Sequence, residues 1–375
     1  MILSVTKMKK ILAVCLAATF TCSFLCGCTD DSGSADDKAA DVVLVTDFGT
    51  VDDNSFNQLA WEGIKQYAEE SGISYDYYQP EDTDIDSIMS QFKRGYRNDA
   101  KLFVCPGSML EVPVYNAQKK YGKASFIIVD GIPHNEENTE DKIGDNTEVI
   151  SFAEEQAGFL AGYAAVRDGY KGLGFMGGIP VDPVIRYGYG FVQGADYAAI
   201  EMGVNVHIRY TYTNTFSDDP VIEDMAGAWY DDDTEVIFAC GGSIGKSVIR
   251  AAENHEGKVI GVDVDQSSES ETVITSAMKD IKSAVYNDVK GFFEGTFTGG
   301  TQTNVTAADN GVCLPMETSR FEKFDQESYD AIYSHLVDGM IAPYNKTDIG
   351  TCDELSLINT EVTYIDYDVI EEAGE

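Results

Sequence analysis

Short apolar runs recur along the chain, and most are continuous rather than alternating: VVLV (42–45), ISYDYY (73–78), KLFVC (101–105), SFIIVD (125–130), LGFM (173–176), VNVHIRYTY (204–212), EVIFAC (235–240) and KVIGVD (258–263). Strands covered on both faces read this way, because neither face is left to water. Between the first two runs, Phe56, Leu59, Ala60, Gly63, Ile64 and Tyr67 fall at i, i+3, i+4, i+7, i+8 and i+11, the apolar face of a helix packed on a sheet. Segments 152–167, 184–201, 219–230, 244–255 and 282–297 have comparable length and apolar content. Strand and helix alternating through short connections predict an α/β fold with parallel, doubly wound sheets. The polar, acidic stretch GIPHNEENTEDKIGDNTEVIS (131–151) interrupts this rhythm and marks the expected first crossing between two lobes.

Two lobes also suit the length, since 375 residues at 43% hydrophobic composition exceed one ordinary domain. The expected division is 42–150 plus 266–300 for one lobe and 151–265 plus 301–375 for the other, both Rossmann-like and joined by a hinge. In open α/β sheets ligands bind beyond the carboxyl ends of the strands. Asp47, Asp130, Gly241 and Asp263 all stand there, directly after or at the end of the apolar runs. Each alone reads equally well as a cap or turn residue. Three aspartates at successive strand ends together read as a polar cleft.

The N-terminus has the plan of a secretory signal, with Lys9 and Lys10 ahead of a short apolar stretch from Ile11 to Leu25. Leu25-Cys26-Gly27-Cys28 resembles a bacterial lipobox, which implies cleavage after residue 27 and lipidation, palmitate included, of Cys28. Residues 29–41 (TDDSGSADDKAAD) read as a flexible tether that reaches roughly 20 Å. The expected location is the cell membrane, lipid-anchored on its extracytoplasmic face.

The formal charge is −38, and loss of Lys7, Lys9 and Lys10 with the signal would leave the rest more acidic by three. A nucleic acid is therefore not an expected partner. Runs such as Asp231-Asp232-Asp233 read as solvated loop. Of eight cysteines, Cys15, Cys22 and Cys26 belong to the signal and Cys28 to the anchor. Cys105 and Cys240 end apolar runs as core residues do, while Cys313 and Cys352 lie in polar surroundings where one bridge is an open alternative.

Enzyme signals are weak. CGGSIGKS (240–247) imitates the end of a phosphate-binding loop, but the glycine required five positions before Gly245 is Cys240. Its helix start still offers backbone N–H groups to a ligand. His134, His207, His255 and His335 are scattered, and no G-x-S-x-G elbow occurs. Asp263-Val264-Asp265 is a metal pattern, yet after a strand it more simply turns one carboxylate inward and one to a turn. No catalytic residue, metal or cofactor is expected.

VTDFGTVDDNSFNQLAWEGI (45–64) resembles the opening of the basic membrane protein family, also called the purine nucleoside receptor family. The likeness recurs at FAEEQAGFLAGYAA (152–165), LGFMGGIPVDPVIRYGYGFVQGADYA (173–198), TFSDDP (215–220), EVIFACGGSIGKSVIRAAE (235–253), VIGVDVDQ (259–266) and VITSAMKDIKSAVY (273–286), covering roughly 42–300. It implies the type I periplasmic-binding-protein fold and a solute-binding lipoprotein of an ABC importer, monomeric, with permease and ATPase subunits as partners. It further implies a purine nucleoside sandwiched between Phe56 and Phe216, which without the likeness read as core. Asp47 and Asp130 then hold the base, Asp263 and Lys279 the ribose, and Gly241 and Gly242 admit the backbone. Asp53 and Asn54 read as caps of the helix that carries Phe56, with Asn54 a secondary ligand candidate. Tyr-Thr-Asn-Thr before Phe216 and the segment 263–279, Ser/Glu-rich at QSSESET, depart from the family pattern, so a sugar or autoinducer receptor or sensor on the same fold stays open, as does a nucleoside-cleaving enzyme. Residues 301–375 are expected to complete the second sheet.

Overall fold

A computed structural model describes residues 39–367 apart from 48, 53 and 350, so Cys28 and Asp53 lie outside the described residues. In chain order the elements are β1 (Val42–Val45), α1 (Phe56–Ser71), β2 (Tyr75–Tyr78), α2 (Ile85–Arg97), β3 (Leu102–Pro106), α3 (Glu111–Lys120), β4 (Ser125–Val129), β5 (Thr147–Phe152) and α4 (Glu154–Asp168). They continue with β6 (Gly172–Gly177), α5 (Asp182–Met202), β7 (Val206–Tyr212), α6 (Pro220–Asp231), β8 (Val236–Cys240), α7 (Ile244–Asn254), β9 (Lys258–Asp263), β10 (Val273–Lys279), α8 (Ile281–Glu294), β11 (Thr301–Val305), β12 (Val312–Cys313), α9 (Gln326–Val337) and β13 (Thr360–Tyr364).

Among the described residues the strands form one sheet in the order β11-β5-β4-β3-β1-β2 and another in the order β12-β10-β9-β8-β6-β7-β13. Each lobe has one of these sheets at its centre. All pairings are parallel except that of β10 with β12. Continuous apolar runs such as VVLV in β1 and VIFAC in β8 are buried at every position. Strands β1 to β5 and β6 to β10 repeat the same spatial order, with the first strand of each set between the second and third. The point where strand order reverses therefore occurs once per lobe, at β1/β3 and at β6/β8, and ligand crevices form at such points.

The lobe borders differ from expectation. β5 lies in the first sheet, so 131–146 is a loop within that lobe and the chain first crosses between Phe152 and Glu154. β10 belongs to the second sheet, and the return crossing falls between Lys279 and α8, which packs on α1. β11 joins the first sheet beside β5. From 301–375, β12 and β13 do extend the second sheet, one at each edge. Sequence pattern misses these borders because acidic residues lead into β5 and Thr275 and Ser276 dilute β10.

Glycines set how closely the helices meet. Gly158 and Gly162 on α4 face Gly190 and Gly194 on α5, each pair at four-residue spacing. A Cβ on Gly162 would stand 2.0 Å from the Phe191 carbonyl, and one on Gly194 2.0 Å from that of Phe159. This backbone-to-backbone approach brings the first turns of α4 and α5 to the cleft. Gly63 does the same for α1, where a Cβ would come 2.5 Å from the Lys282 carbonyl of α8. Gly162→Ala and Gly194→Ala are each expected to lower unfolding free energy by about 1–3 kcal/mol through overpacking. Gly245→Ala on α7, with nothing within 4 Å of the new methyl, should be neutral or slightly stabilising. Urea denaturation of the three variants checks both directions.

Candidate functional site

A cavity of about 380 Å³ lies between the lobes, at the carboxyl ends of both sheets. That volume falls in the range of roughly 300–1,000 Å³ found for small-molecule sites. Asp47, Phe56, Asp130, Phe216, Gly241, Gly242, Asp263 and Lys279 all line it, so strand-end reasoning and family likeness converge on one place.

At its base, Asp130 follows β4 and Asp263 ends β9, equivalent positions in the two repeated strand sets. Both have left-handed backbone, at φ 56 and φ 64. Aspartate tolerates that region better than most residues, and here it turns two carboxylates toward each other across the lobes. Lys279, at the end of β10, reaches both: Nζ is 2.6 Å from Asp130 Oδ2 and 3.4 Å from Asp263 Oδ1. It also lies 3.5 Å from Glu154 Oε1, and the Lys279 and Glu154 side chains are 3% and 0% exposed. Arg186 completes the group, its Nε donating to Glu154 Oε2 at 2.7 Å.

Two cations thus face three carboxylates in a dry setting. Burial alone would discharge Lys279, but Asp130, Asp263 and Glu154 reverse this and hold the ammonium charged. Burial would likewise raise Glu154, yet Arg186 and Lys279 pull its carboxyl below the usual range. Asp130 is left the least compensated. Burial, with Glu154 adding to it against the pull of Lys279, lifts its carboxyl to about 7. Its Oδ1 is buried with no hydrogen-bond partner among the described residues.

Tyr187, on the first turns of α5, is buried, and its hydroxyl lies 3.3 Å from Asp263 Oδ1 and 3.2 Å from the Ala277 carbonyl. Burial and nearby Asp263 push the phenol well up, so it stays a donor. The Lys279 ammonium sits 5.0 Å from the Phe56 ring centre and 5.3 Å from that of Tyr187. Asp47 Oδ1 accepts from the Gly49 amide at 2.7 Å and from Asn57 Nδ2 at 3.3 Å.

The two phenylalanines approach from opposite lobes, Phe56 as first residue of α1 and Phe216 on the loop between β7 and α6. Gly178 makes room for the second, since a Cβ there would fall 2.3 Å from the Phe216 ring. Gly241 in turn lies against Gly178, where a Cβ would come within 2.8 Å of its Cα.

Asn54 is not among the lining residues. Ser55 rather than Asn54 is the N-cap of α1, and Asn54, at φ 50, directs its side-chain amide to Glu269 of the other lobe. Ser55 Oγ likewise donates to Asp263 Oδ2 at 3.0 Å. These residues clasp the lobes together. The α7 amides are not open to a ligand either: Ser243 donates to the Phe216 carbonyl, and Ile244, Gly245 and Lys246 to Gly241, Gly242 and Ser243. Asp265 turns outward, accepting from the Ser267 amide and the Thr318 hydroxyl. Among the described residues no cluster could hold a metal ion. Cys105, Cys240 and Cys313 are free thiols, so no bridge joins Cys313 to Cys352.

Sequence reasoning misses Gly107, Ser108 and Met109, although they follow β3 and the strand-end rule reaches them. It also misses Glu154, Arg186 and Tyr187, which look like ordinary residues of the first two helix turns until the glycine-packed helices bring them to the cleft.

No helix among the described residues is long and apolar enough to cross a membrane. Residues 40–347 match the family model described as ABC transporter substrate-binding protein PnrA-like, farther than the 42–300 spanned by the sequence motifs. The ABC transporter nucleoside-binding protein BmpA of Lactococcus lactis is 27% identical over 90% of this chain and 99% of its own. Basic membrane protein D of Borreliella burgdorferi is 27% identical over 86% and 92%. An ABC transporter solute-binding protein from Aeropyrum pernix superposes with a TM-score of 0.72 at 21% identity, over 84% of this chain and 95% of that one. The chain therefore belongs to the basic membrane protein family of PnrA-like ABC transporter substrate-binding proteins.

Proposed function

We propose that this protein binds a purine nucleoside between Phe56 and Phe216 and, with the lobes closed on it, delivers it to a membrane permease driven by an ATPase. The observation that carries this reading is that one aromatic ring from each lobe lines a single cavity whose base is the Asp130–Lys279–Asp263 group. A flat base suits two facing rings, and base–aromatic stacking contributes about 1–3 kcal/mol per ring. Asp263 and Lys279 suit a ribose diol, one accepting and one donating. Asp130 Oδ1, unpartnered among the described residues, suits an N–H of the base. The nucleoside-binding description of the Lactococcus relative supports the same class. Cys28 serves as the lipid anchor that keeps the protein at the outer face of the membrane.

Phe56→Ala and Phe216→Ala should each weaken guanosine binding about 5- to 150-fold, as read by calorimetry on protein stripped of co-purified ligand. A chain that responds to pyranoses and to no nucleoside would overturn the proposal.

The site also has a pH signature. Without ligand, Asp130 titrates near 7, and a donated ligand hydrogen bond favours the ionised form, so the complex must release the proton held below that pH. Guanosine affinity should be level above about pH 8 and fall toward about pH 6, approaching roughly tenfold per pH unit. Asp130→Asn should flatten the profile, and an unchanged slope in that variant would sink the assignment.

Cys28→Ala should shift the full chain from the detergent phase to the aqueous phase in cloud-point partitioning of cells.

A further inference from the structure

Phe216 is carried by a loop, yet that loop is fastened at several points. The Thr213 amide donates to the Gly177 carbonyl at 2.8 Å, and the Ser217 amide to Thr215 Oγ1 at 3.0 Å. The carbonyl of Phe216 itself accepts from the Ser243 amide at 2.9 Å, and Gly178 leaves a seat for the ring.

The fastening that follows Phe216 is ionic. Arg250, on α7, grips the Asp218 carboxylate as a fork, with Nη2 at 2.6 Å from Oδ1 and Nη1 at 3.0 Å from Oδ2. Its Nε donates to Glu223 Oε2 of α6 at 2.6 Å. Ser247, fully buried, donates its hydroxyl to Asp218 Oδ1 at 2.5 Å and accepts the Asp219 amide at 3.0 Å. Asp219 then caps α6 through the Val221 amide. The paired Arg250 side chain holds the Asp218 carboxyl below its ordinary range.

Every member of this set belongs to the second lobe. Phe216 therefore needs nothing from the first lobe to be held in place. We infer that Arg250 and Ser247, acting through Asp218, are positioning residues that fix the Phe216 platform in the ligand-free protein, so that one wall of the proposed sandwich is ready before the ligand arrives and the lobes close. The part played in ligand binding rests on the nucleoside reading above, whereas the fastening of the loop does not. Preorganisation of this kind raises affinity by removing the ordering cost from the binding step.

The test pairs two measurements on the full chain and its Arg250→Ala variant. Hydrogen exchange without ligand should be about five- to twentyfold faster at the amides of Ser217, Asp219 and Ser243. Guanosine affinity should fall about tenfold. The melting temperature of the ligand-free variant should drop by no more than about 2–4 °C, because Arg250 is partly exposed and such pairs add little to global stability. Arg250→Lys should recover part of both effects, since an ammonium keeps the charge but loses the fork. Unchanged exchange overturns the inference whatever the ligand is. Faster exchange with unaltered guanosine affinity overturns the positioning role. If the wild-type chain ignores guanosine while the variant's exchange is faster, the nucleoside reading fails and the fastening of Phe216 is upheld.

Discussion

A lysine buried between two lobes is the constraint from which the rest of the cleft follows. An ammonium removed from water without partners costs several kcal/mol, a large share of what a whole fold nets, so Lys279 dictates that carboxylates meet it from each side. Asp130 and Asp263 do so from equivalent strand ends, and both accept unfavourable backbone geometry to point inward. The third carboxylate, Glu154, exceeds what one lysine balances, and Arg186 answers it. Close packing of α4 on α5 makes that answer possible. A methyl group at Gly162 or Gly194 would wedge the helices apart and carry Arg186 and Tyr187 away from the lysine.

The same arrangement shapes what the lobes can do. Ser55 and Asn54 hold Asp263 and Glu269 across the cleft, bonds that exist only while the lobes are together. Asp263 thus takes part in lobe contact and lines the cavity. A ligand hydroxyl that shares its oxygens would report directly on closure, which is how a binding event biases a hinge.

Much of this is legible in the chain itself, for identifiable reasons. Short apolar runs, most of them continuous, mark eight of the strands, and the strand-end rule leads from them to Asp47, Asp130, Gly241 and Asp263. Phe56, Phe216 and Lys279 need the family likeness, because a phenylalanine or lysine in such a context has no local signature. Asn54 is misread because capping preference is local, whereas its partner Glu269 lies 215 positions away. Glu154 and Arg186 stay invisible for a related reason: an acid at the start of α4 reads as a dipole complement, and an arginine early in α5 as a solvated side chain, unless the helix crossing is known. Hydrophobic pattern passes over β5 and β10, and with them the true lobe borders, since partial polarity masks a strand that its neighbours bury.

Where those borders fall decides the order in which the molecule can be built. β11 pairs with β5 although Thr301 and Thr147, their first residues, are 154 positions apart in the chain (301 − 147). Neither lobe is a contiguous stretch, because everything from α4 to β10 is made between the two strands that close the first sheet. During synthesis the first lobe therefore waits with β5 as an open edge until the core of the second has already emerged. Unpaired edges of this kind template wrong pairings. The half made first thus stays incomplete until most of the other half has been made, and its yield depends on how well that edge is kept from neighbouring chains until Thr301–Val305 arrives.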